Sequence, residues 1–296
     1  MDAQTRVAAL KAGPVEYRHA PGPSSTVVVF HGGHLRAGLP LGEKALIAAG
    51  HDVLSVSRPG YGRTPLSAGP DPAHFADLVL DLCTSLDIEE IGSSLGVSAG
   101  GPAAVALAQR APERVRSLVL VSARSSLPFP DGLARKVTPL AFAPPGERAT
   151  WATVRAFMKH APAAGLRTMM RSLSTLPARR VVADLDAAER AELVDLFSSM
   201  RSGAGFLQDT RGLVDPALER GVSQPTLVVA SPHDGQVGHR HTQHLLTTIP
   251  HATYWASPSL SHLVWYGSGA AATNTTIIDF LNTHHSTPAT FGTCQR

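Results

Sequence analysis

Short β-type runs alternate with helical patterns through the first 123 residues, and this alternation constrains the fold more than any other feature of the chain. The β-type runs predict four buried strands. They cover 26–30, 53–57, 91–97 and 116–123. Helical spacing of apolar residues predicts helices over 71–86 and 102–110. Strands that alternate with helices are typical of a parallel sheet with helices on both faces.

The alternation stops after residue 123 and resumes near residue 224. Residues 124–205 contain proline-rich loops and helical patterns, and no run in them predicts a strand. Strand patterns return at 226–230 and 253–256, and a last helix is predicted over 270–282. We therefore predict an α/β core formed by residues 1–123 and 206–296, interrupted by a helical insertion.

Composition and charge exclude several classes of protein. Of the 296 residues, 43% are apolar and 17% are charged, as in ordinary soluble domains. The formal net charge of +3 is spread along the chain, which argues against a nucleic-acid partner. No apolar run approaches the roughly 18 residues of a membrane span, and the first ten residues lack the apolar segment of a signal peptide. Because the two cysteines, Cys83 and Cys294, form no disulfide framework, we expect a cytoplasmic protein without a membrane partner.

One serine lies where the third predicted strand gives way to the next helix. Ser98 has Gly96 and Gly100 two residues away on either side, and Gly101 and Pro102 follow. This is the G-x-S-x-G pattern of a nucleophile elbow, in which small neighbours allow a sharp turn that raises the hydroxyl above the strand ends. The alternative is a glycine-rich turn in which the serine only caps the helix. The strand before the pattern and the helix after it favour the elbow.

A nucleophilic serine needs two further groups. Its hydroxyl is a poor nucleophile without a base, and the base needs a carboxylate to orient it. On an elbow scaffold the expected order is serine, acid, histidine, each on a loop after a later strand. The strand at 226–230 is followed by Asp234, and the strand at 253–256 by His262. We predict that Ser98, Asp234 and His262 form a catalytic triad.

With these motifs, the chain resembles the α/β-hydrolase family over about 15–282. The segment VVVFHGG resembles the oxyanion loop of that family. The resemblance implies that the backbone amides of Gly33 and Ala99 bind an oxyanion, helped by His34, and that His31 has a structural part. It also implies a lid at residues 124–205.

Three positions depart from the pattern of the family. The loop SRPGYGRT resembles the family's Asp-x-x-Gly-x-Gly-x-Ser, but Ser57 stands where the aspartate often lies. Ser231 replaces the glycine that many relatives have three residues before the acid, and Ser261 replaces the glycine before the histidine. None of these changes removes a reacting group.

The chain also contains other acids and histidines that could take part in a site. Asp209 and Asp215 precede the strand at 226–230 rather than follow it, and Asp131 lies where some relatives carry the acid. His239, His241 and His244 resemble a metal cluster, but zinc sites usually add cysteine or carboxylate ligands. We favour a solvated helix start for these histidines, and we expect no metal and no cofactor. A core or surface role for His262 is the alternative to catalysis.

The expected function is that of a serine hydrolase acting on a small-molecule ester. The resemblance implies cleavage of a carboxylic ester or lactone through an acyl-enzyme. Met158, Met169 and Met170 fall in the expected lid and are candidates for lining an apolar substrate pocket, with ordinary helix packing as the alternative. The rivals are an acyltransferase, a C–C bond hydrolase, a proline-iminopeptidase-like amidase and a non-catalytic ligand-binding protein on the same scaffold. Proline iminopeptidases continue the HGG motif with Pro-Gly, where this chain has His34-Leu35. The oligomeric state stays open.

Overall fold

The computed structural model describes residues 3–130, 138, 141–212 and 214–285. Within them, eight strands form one sheet in the order β1-β2-β4-β3-β5-β6-β7-β8. The strands are β1 Arg6–Leu10, β2 Gly13–Ala20, β3 Ser24–Phe30, β4 His51–Val56, β5 Ile91–Val97, β6 Val115–Val121, β7 Thr226–Ala230 and β8 Ala252–Ala256. β3 to β8 run parallel, whereas β1 and β2 form a hairpin that pairs antiparallel with β4. The mostly parallel sheet expected from the sequence is confirmed, and the hairpin is an addition to it.

Helices flank this sheet. They are α1 Glu43–Ala48, α2 Pro72–Ser85, α3 Gly101–Arg110, α4 Gly146–His160, α5 Pro162–Leu173, α6 Ala178–Asp184, α7 Ala187–Ser199, α8 Gly205–Arg211, α9 Pro216–Arg220, α10 His239–Thr248 and α11 Ala270–His285. α2 begins after Asp71, whose side chain accepts a hydrogen bond from the backbone N–H of His74 at 3.0 Å. α4 to α9 lie between β6 and β7, so the chain between these strands is helical wherever it has regular structure among the described residues.

Alternate residues of β3 enter two different apolar clusters, because successive side chains of a strand point to opposite faces. Val28 and Phe30 pack with side chains of α2 and α3. Val27 and Val29 pack on the other face, together with side chains from the helices between β6 and β7. The latter include Trp151, Met170, Leu193 and Phe197. The inserted helices therefore share one apolar core with a face of the sheet.

The carboxyl ends of the parallel strands bring the predicted site residues to one edge of the sheet. Gly33 follows β3, Ser98 follows β5, Asp234 follows β7 and His262 follows β8. Ligands of open α/β sheets bind at this edge, outside the carboxyl ends of the strands. Residues that are far apart in the sequence therefore lie close together in space.

The loop after β4 is held by a carboxylate that comes from another strand. Glu16 of β2 is 4% exposed, and it accepts a hydrogen bond from the Ser57 hydroxyl at 2.8 Å. The backbone N–H and the Nε of Arg63 also donate to Glu16, at 3.0 and 2.9 Å. Burial alone would raise the pKa of Glu16, but the hydrogen bonds from Arg63 and Ser57 turn the net shift downward. Glu16 thus supplies the negative charge that the residue at position 57 lacks.

A helix can cross a lipid bilayer only when it is both long and apolar. Among residues 3–130, 138, 141–212 and 214–285, no helix is both long and apolar enough to cross one.

Candidate active site

The turn that carries Ser98 is strained and closely packed. Ser98 has a φ of +51°, in the left-handed region that residues other than glycine rarely adopt. A Cβ on Gly96 would lie 2.7 Å from the Cβ of Ala104, and a Cβ on Gly100 would overlap the carbonyl oxygen of Phe30. Both glycines of the G-x-S-x-G pattern are therefore required by their neighbours.

The Ser98 hydroxyl does not serve as a helix cap. The N-cap of α3 is Gly100, and no side chain caps this helix. Ser98 itself is 8% exposed, and it lines the cavity described below. The strained backbone of Ser98 is therefore not explained by a capping hydrogen bond of its side chain, which argues against the capping alternative.

His262 and Asp234 form a buried pair. The Nδ1 of His262 lies 2.7 Å from Oδ2 of Asp234. The other carboxylate oxygen, Oδ1, accepts hydrogen bonds from the backbone N–H groups of Gln236 and Val237, at 2.8 and 2.9 Å. The backbone N–H of His262 donates to the carbonyl of Leu173 at the end of α5, at 2.7 Å. This pair fixes the imidazole and leaves its Nε2 as the nitrogen available for chemistry.

Ser98 and His262 line the same cavity. Among the hydrogen bonds of the described residues, none joins the Ser98 hydroxyl to the imidazole. Hydrogen bonds between catalytic groups are often long before substrate binds and tighten in the complex. The structure therefore places the serine and the His262–Asp234 pair at one cavity.

The loop after β3 is anchored through His31. The Nε2 of His31 lies 2.8 Å from Oε1 of Glu43, which is 1% exposed, and the Nε of Arg58 donates to the His31 carbonyl at 2.8 Å. Burial, followed by the charges of Arg18 and Arg58, lowers the pKa of His31 to about 3. The ring is therefore neutral, and it ties the start of the loop to α1.

The two glycines of this loop have different neighbours. A Cβ on Gly32 would lie 2.9 Å from the Cβ of Ser98, and one on Gly33 would lie 2.9 Å from the ring of Phe206. Gly33 and Ala99 both line the cavity with Ser98. The missing side chain at 32 lets the loop approach the serine turn, and the one at 33 leaves room for Phe206.

His34 has an unusual setting beside this loop. Its φ is +68°, its Nδ1 lies 2.8 Å from the Ser202 hydroxyl oxygen, and its ring centroid lies 3.9 Å from that of Phe206. Burial lowers the pKa of His34 to about 3, although one side of the residue borders the cavity. His34 is therefore a neutral imidazole at neutral pH.

The cavity has a volume of about 320 Å³ and a mostly apolar, aromatic wall. Its aromatic residues are Phe129, Phe142, Trp151, Phe197 and Phe206. Its polar side chains, apart from those of Ser98 and the histidines, are Thr138, Thr150, Ser172 and Gln236. No aspartate, glutamate, lysine or arginine is among the described residues that line it. A wall of this kind suits an uncharged ligand.

The methionines predicted to line a pocket take different places. Met169 borders the cavity, together with Met200. Met158 and Met170 are 2% and 0% exposed and belong to the apolar cluster around the inserted helices. The Met158 sulfur would lie 2.9 Å from a Cβ on Gly165, so it packs between α4 and α5. The sequence does not identify most of the other lining residues, such as Trp151 and Phe206, because a pattern of apolar spacing does not reveal which face of an inserted helix borders a cavity. Gln236 lies in the loop after β7, where no pattern marks it.

The alternative acids have other partners. Asp209 accepts hydrogen bonds from Arg58 at 2.6 and 2.8 Å and from the Tyr61 hydroxyl at 2.6 Å. Asp215 caps α9. Asp131 lies outside the described residues.

Two of the histidines of α10 have hydrogen-bond partners. The Nδ1 of His241 lies 2.9 Å from the Ser125 hydroxyl oxygen, and the Nε2 of His244 lies 3.0 Å from a carboxylate oxygen of Glu219. Within the part of the chain that the structure describes, no group of three or more histidine, cysteine or acidic residues is arranged to hold a metal ion. Hydrogen bonding accounts for the positions of His241 and His244.

Comparison with known proteins places this geometry in a family. A family model described as the alpha/beta hydrolase fold matches residues 25–266. The chain is 32% identical over 272 residues to the uncharacterized hydrolase YcgS of Bacillus subtilis (strain 168), covering 91% of this chain and 95% of that protein. It is 33% identical over 127 residues to a 2-hydroxy-6-oxononadienedioate/2-hydroxy-6-oxononatrienedioate hydrolase of Cupriavidus pinatubonensis (strain JMP 134 / LMG 1197), covering 40% of this chain and 44% of that protein.

A solved structure has a fold similar to that of this chain. The alpha/beta hydrolase fold protein from Nakamurella multipartita superposes with a TM-score of 0.78 at 26% identity, covering 94% of this chain and 99% of that one. The sheet order, the serine turn after β5 and the family match agree with one another. The chain belongs to the α/β-hydrolase fold family.

Proposed function

We propose that the protein is a serine hydrolase that cleaves a carboxylic ester or lactone through an acyl-enzyme. The observation that carries the proposal is the shared cavity of Ser98 and His262, with the His262 imidazole held by Asp234 at 2.7 Å. Acyl transfer needs a serine nucleophile, a histidine base and a carboxylate that orients the base. Residues 124–205 would act as the lid over the reacting groups.

The mechanism has two steps. His262 removes the Ser98 proton through Nε2 as Oγ attacks the substrate carbonyl, and the imidazolium is stabilised by Asp234. The same proton then passes to the leaving alcohol oxygen as the ester C–O bond breaks. In the second step His262 deprotonates water, which attacks the acyl-enzyme, and Ser98 regains its proton when the carboxylic acid leaves.

The tetrahedral oxyanion of each step requires hydrogen-bond donors. The backbone N–H groups of Gly33 and Ala99 would supply them, with His34 beside Gly33 as a further donor. A single donor of this kind typically changes kcat by about 10²–10³-fold.

The lining of the cavity supports an uncharged substrate. A dienedioate, which the name of the relative from Cupriavidus pinatubonensis specifies, carries two carboxylates, and a buried carboxylate without a cationic partner is costly. A peptide amine would need an acidic partner for the same reason. No charged side chain is among the described lining residues, so a neutral ester or lactone fits better than either rival. We further propose a cytoplasmic setting, supported by the absence of any disulfide framework in the sequence.

Covalent labelling by a fluorophosphonate probe tests the role of Ser98. We expect the wild type to be labelled with one adduct and Ser98→Ala to be unlabelled, because the probe phosphonylates an activated serine as fluoride leaves. Intact-mass and peptide mass spectrometry measure the adduct. Ser198→Ala is a matched control on α7, since its hydroxyl only donates to the Val194 carbonyl, and it should label like the wild type. An adduct that persists in Ser98→Ala would reject the assignment.

A pair of p-nitrophenyl esters tests the substrate class. We expect kcat/KM for p-nitrophenyl butyrate to exceed that for mono-p-nitrophenyl succinate at least about ten-fold, because an unpaired buried charge costs more than 1 kcal/mol. The release of p-nitrophenolate measures both, with rates corrected for hydrolysis without enzyme. Equal or faster turnover of the charged ester would contradict the neutral-substrate proposal while leaving the serine mechanism in place.

A further inference from the structure

Ser202 joins two side chains of the cavity wall. It follows α7, is 0% exposed, and its hydroxyl oxygen lies 2.8 Å from the indole Nε1 of Trp151 and 2.8 Å from the Nδ1 of His34. Its backbone N–H donates to Glu147 at 3.0 Å, which fixes the residue itself. The sequence pattern of the family does not include this hydroxyl, and no catalytic step described above uses it.

The direction of these hydrogen bonds follows from the chemistry of the groups. An indole N–H can only donate, so the Ser202 oxygen accepts from Trp151. The single hydrogen of the Ser202 hydroxyl then has one acceptor in reach among the described residues, the Nδ1 of His34. A hydroxyl buried this completely is expected to use its hydrogen. Nδ1 therefore accepts a hydrogen bond and carries no proton.

A neutral imidazole carries one proton, and an unprotonated Nδ1 places that proton on Nε2. Burial keeps His34 neutral, since its pKa is lowered to about 3. The ring also packs against two phenylalanines, with its centroid 3.9 Å from that of Phe206 and 5.0 Å from that of Phe142. His34 borders the cavity beside Gly33, and its Nε2 has no hydrogen-bond partner within the described residues.

We propose that Ser202 and Trp151 are positioning residues that hold His34 as an Nε2–H donor toward substrate oxygen in the cavity. With the opposite tautomer, Nε2 would present a lone pair and would repel a developing oxyanion. This inference rests on the proposed hydrolase function, in which His34 is a donor, and it adds the two residues that place the donated proton on Nε2.

The tautomer itself can be measured without any substrate. In a ¹⁵N–¹H correlation spectrum of the imidazoles at neutral pH, the signals missing in His34→Asn identify His34. We expect a protonated Nε2 and an unprotonated Nδ1 in the wild type, and a loss of this preference in Ser202→Ala. A protonated Nδ1 in the wild type would overturn the proposal.

Kinetics test the consequence for turnover. For p-nitrophenyl butyrate we expect Ser202→Ala and Trp151→Phe to lower kcat roughly ten-fold while KM changes less than about two-fold, because the donor acts on the transition state. Ser202→Thr keeps the hydroxyl and should restore most of kcat, which a merely structural role of the site would not predict. Ser198→Ala and Trp265→Phe are matched controls that should behave like the wild type, and thermal melting verifies that each variant is folded.

The outcomes separate this inference from the proposed function. If the wild type turns over the ester and Ser202→Ala keeps a normal kcat, the positioning role is rejected and the serine mechanism stands. If the wild type shows neither turnover nor labelling by the fluorophosphonate, the proposed function fails, and the spectrum alone decides whether Ser202 sets the proton position of His34.

Discussion

Asp234→Asn is expected to lower kcat by about 10³–10⁴-fold while the protein stays folded. The carboxylate Oδ2 accepts from the His262 Nδ1 at 2.7 Å, which leaves Nε2 unprotonated and ready to act as a base. An asparagine amide can donate to Nδ1 instead, and the proton of the ring then moves to Nε2, where it blocks general-base catalysis. Stopped-flow or steady-state hydrolysis of p-nitrophenyl butyrate measures the loss, and circular dichroism verifies the fold.

The matched control for this variant is Asp215→Asn. Asp215 was an alternative acid, and its side chain only caps α9, a task that asparagine performs equally well. We expect its kcat to stay within about two-fold of the wild type. A near-normal rate in Asp234→Asn would contradict the triad, and a large loss in Asp131→Asn would transfer the role of the acid to that residue.

Gly100→Ala is expected to remove at least about 3 kcal/mol from the free energy of unfolding, since a clash with fixed backbone cannot relax as a loose side chain can. The added Cβ would overlap the Phe30 carbonyl oxygen, and Phe30 lies in β3 between two paired strands. The serine turn and the β3 strand cannot both keep their places. Urea unfolding followed by circular dichroism measures the change, and fluorophosphonate labelling reports on the serine turn.

Gly221→Ala provides the comparison. There the added Cβ would lie 2.9 Å from Cγ of the flexible Gln109 side chain and 3.2 Å from the Ala217 carbonyl oxygen, without the overlap with backbone that Gly100 shows. Gly221 has an ordinary φ of −85°. We expect a change below about 1 kcal/mol. Equal stability losses in Gly100→Ala and Gly221→Ala would show that the packing of the elbow is not what requires glycine at position 100.

The core of the fold could be predicted from the sequence because its strands are buried on both faces. Parallel strands of this kind appear as continuous apolar runs, and β5 and β7 are buried at every residue. The β1–β2 hairpin could not be predicted in the same way. β1 has only exposed and half-buried residues, and β2 carries Glu16 among its buried positions, so neither shows an apolar run.

The location of the candidate site could be predicted as far as the order of strands and loops determines it. The positions of Ser98, Asp234 and His262 follow from loops at the ends of parallel strands, which meet at one edge of a sheet. The cavity wall depends on which faces of the inserted helices turn inward, and that depends on packing between them. Met158 and Met169 illustrate the difference, since both are apolar residues on helices but only Met169 borders the cavity.

The carboxylate of Glu16 has a consequence for comparing this loop between members of the family. Serine at 57 looks like a missing charge when the β4 loop is considered alone, yet its hydroxyl donates to a carboxylate on the neighbouring strand β2, 41 positions earlier in the chain. Positions 16 and 57 therefore form one structural unit. An aspartate introduced at 57 alone would face the Glu16 carboxylate, and an uncharged residue introduced at 16 alone would leave the Ser57 hydroxyl without this acceptor.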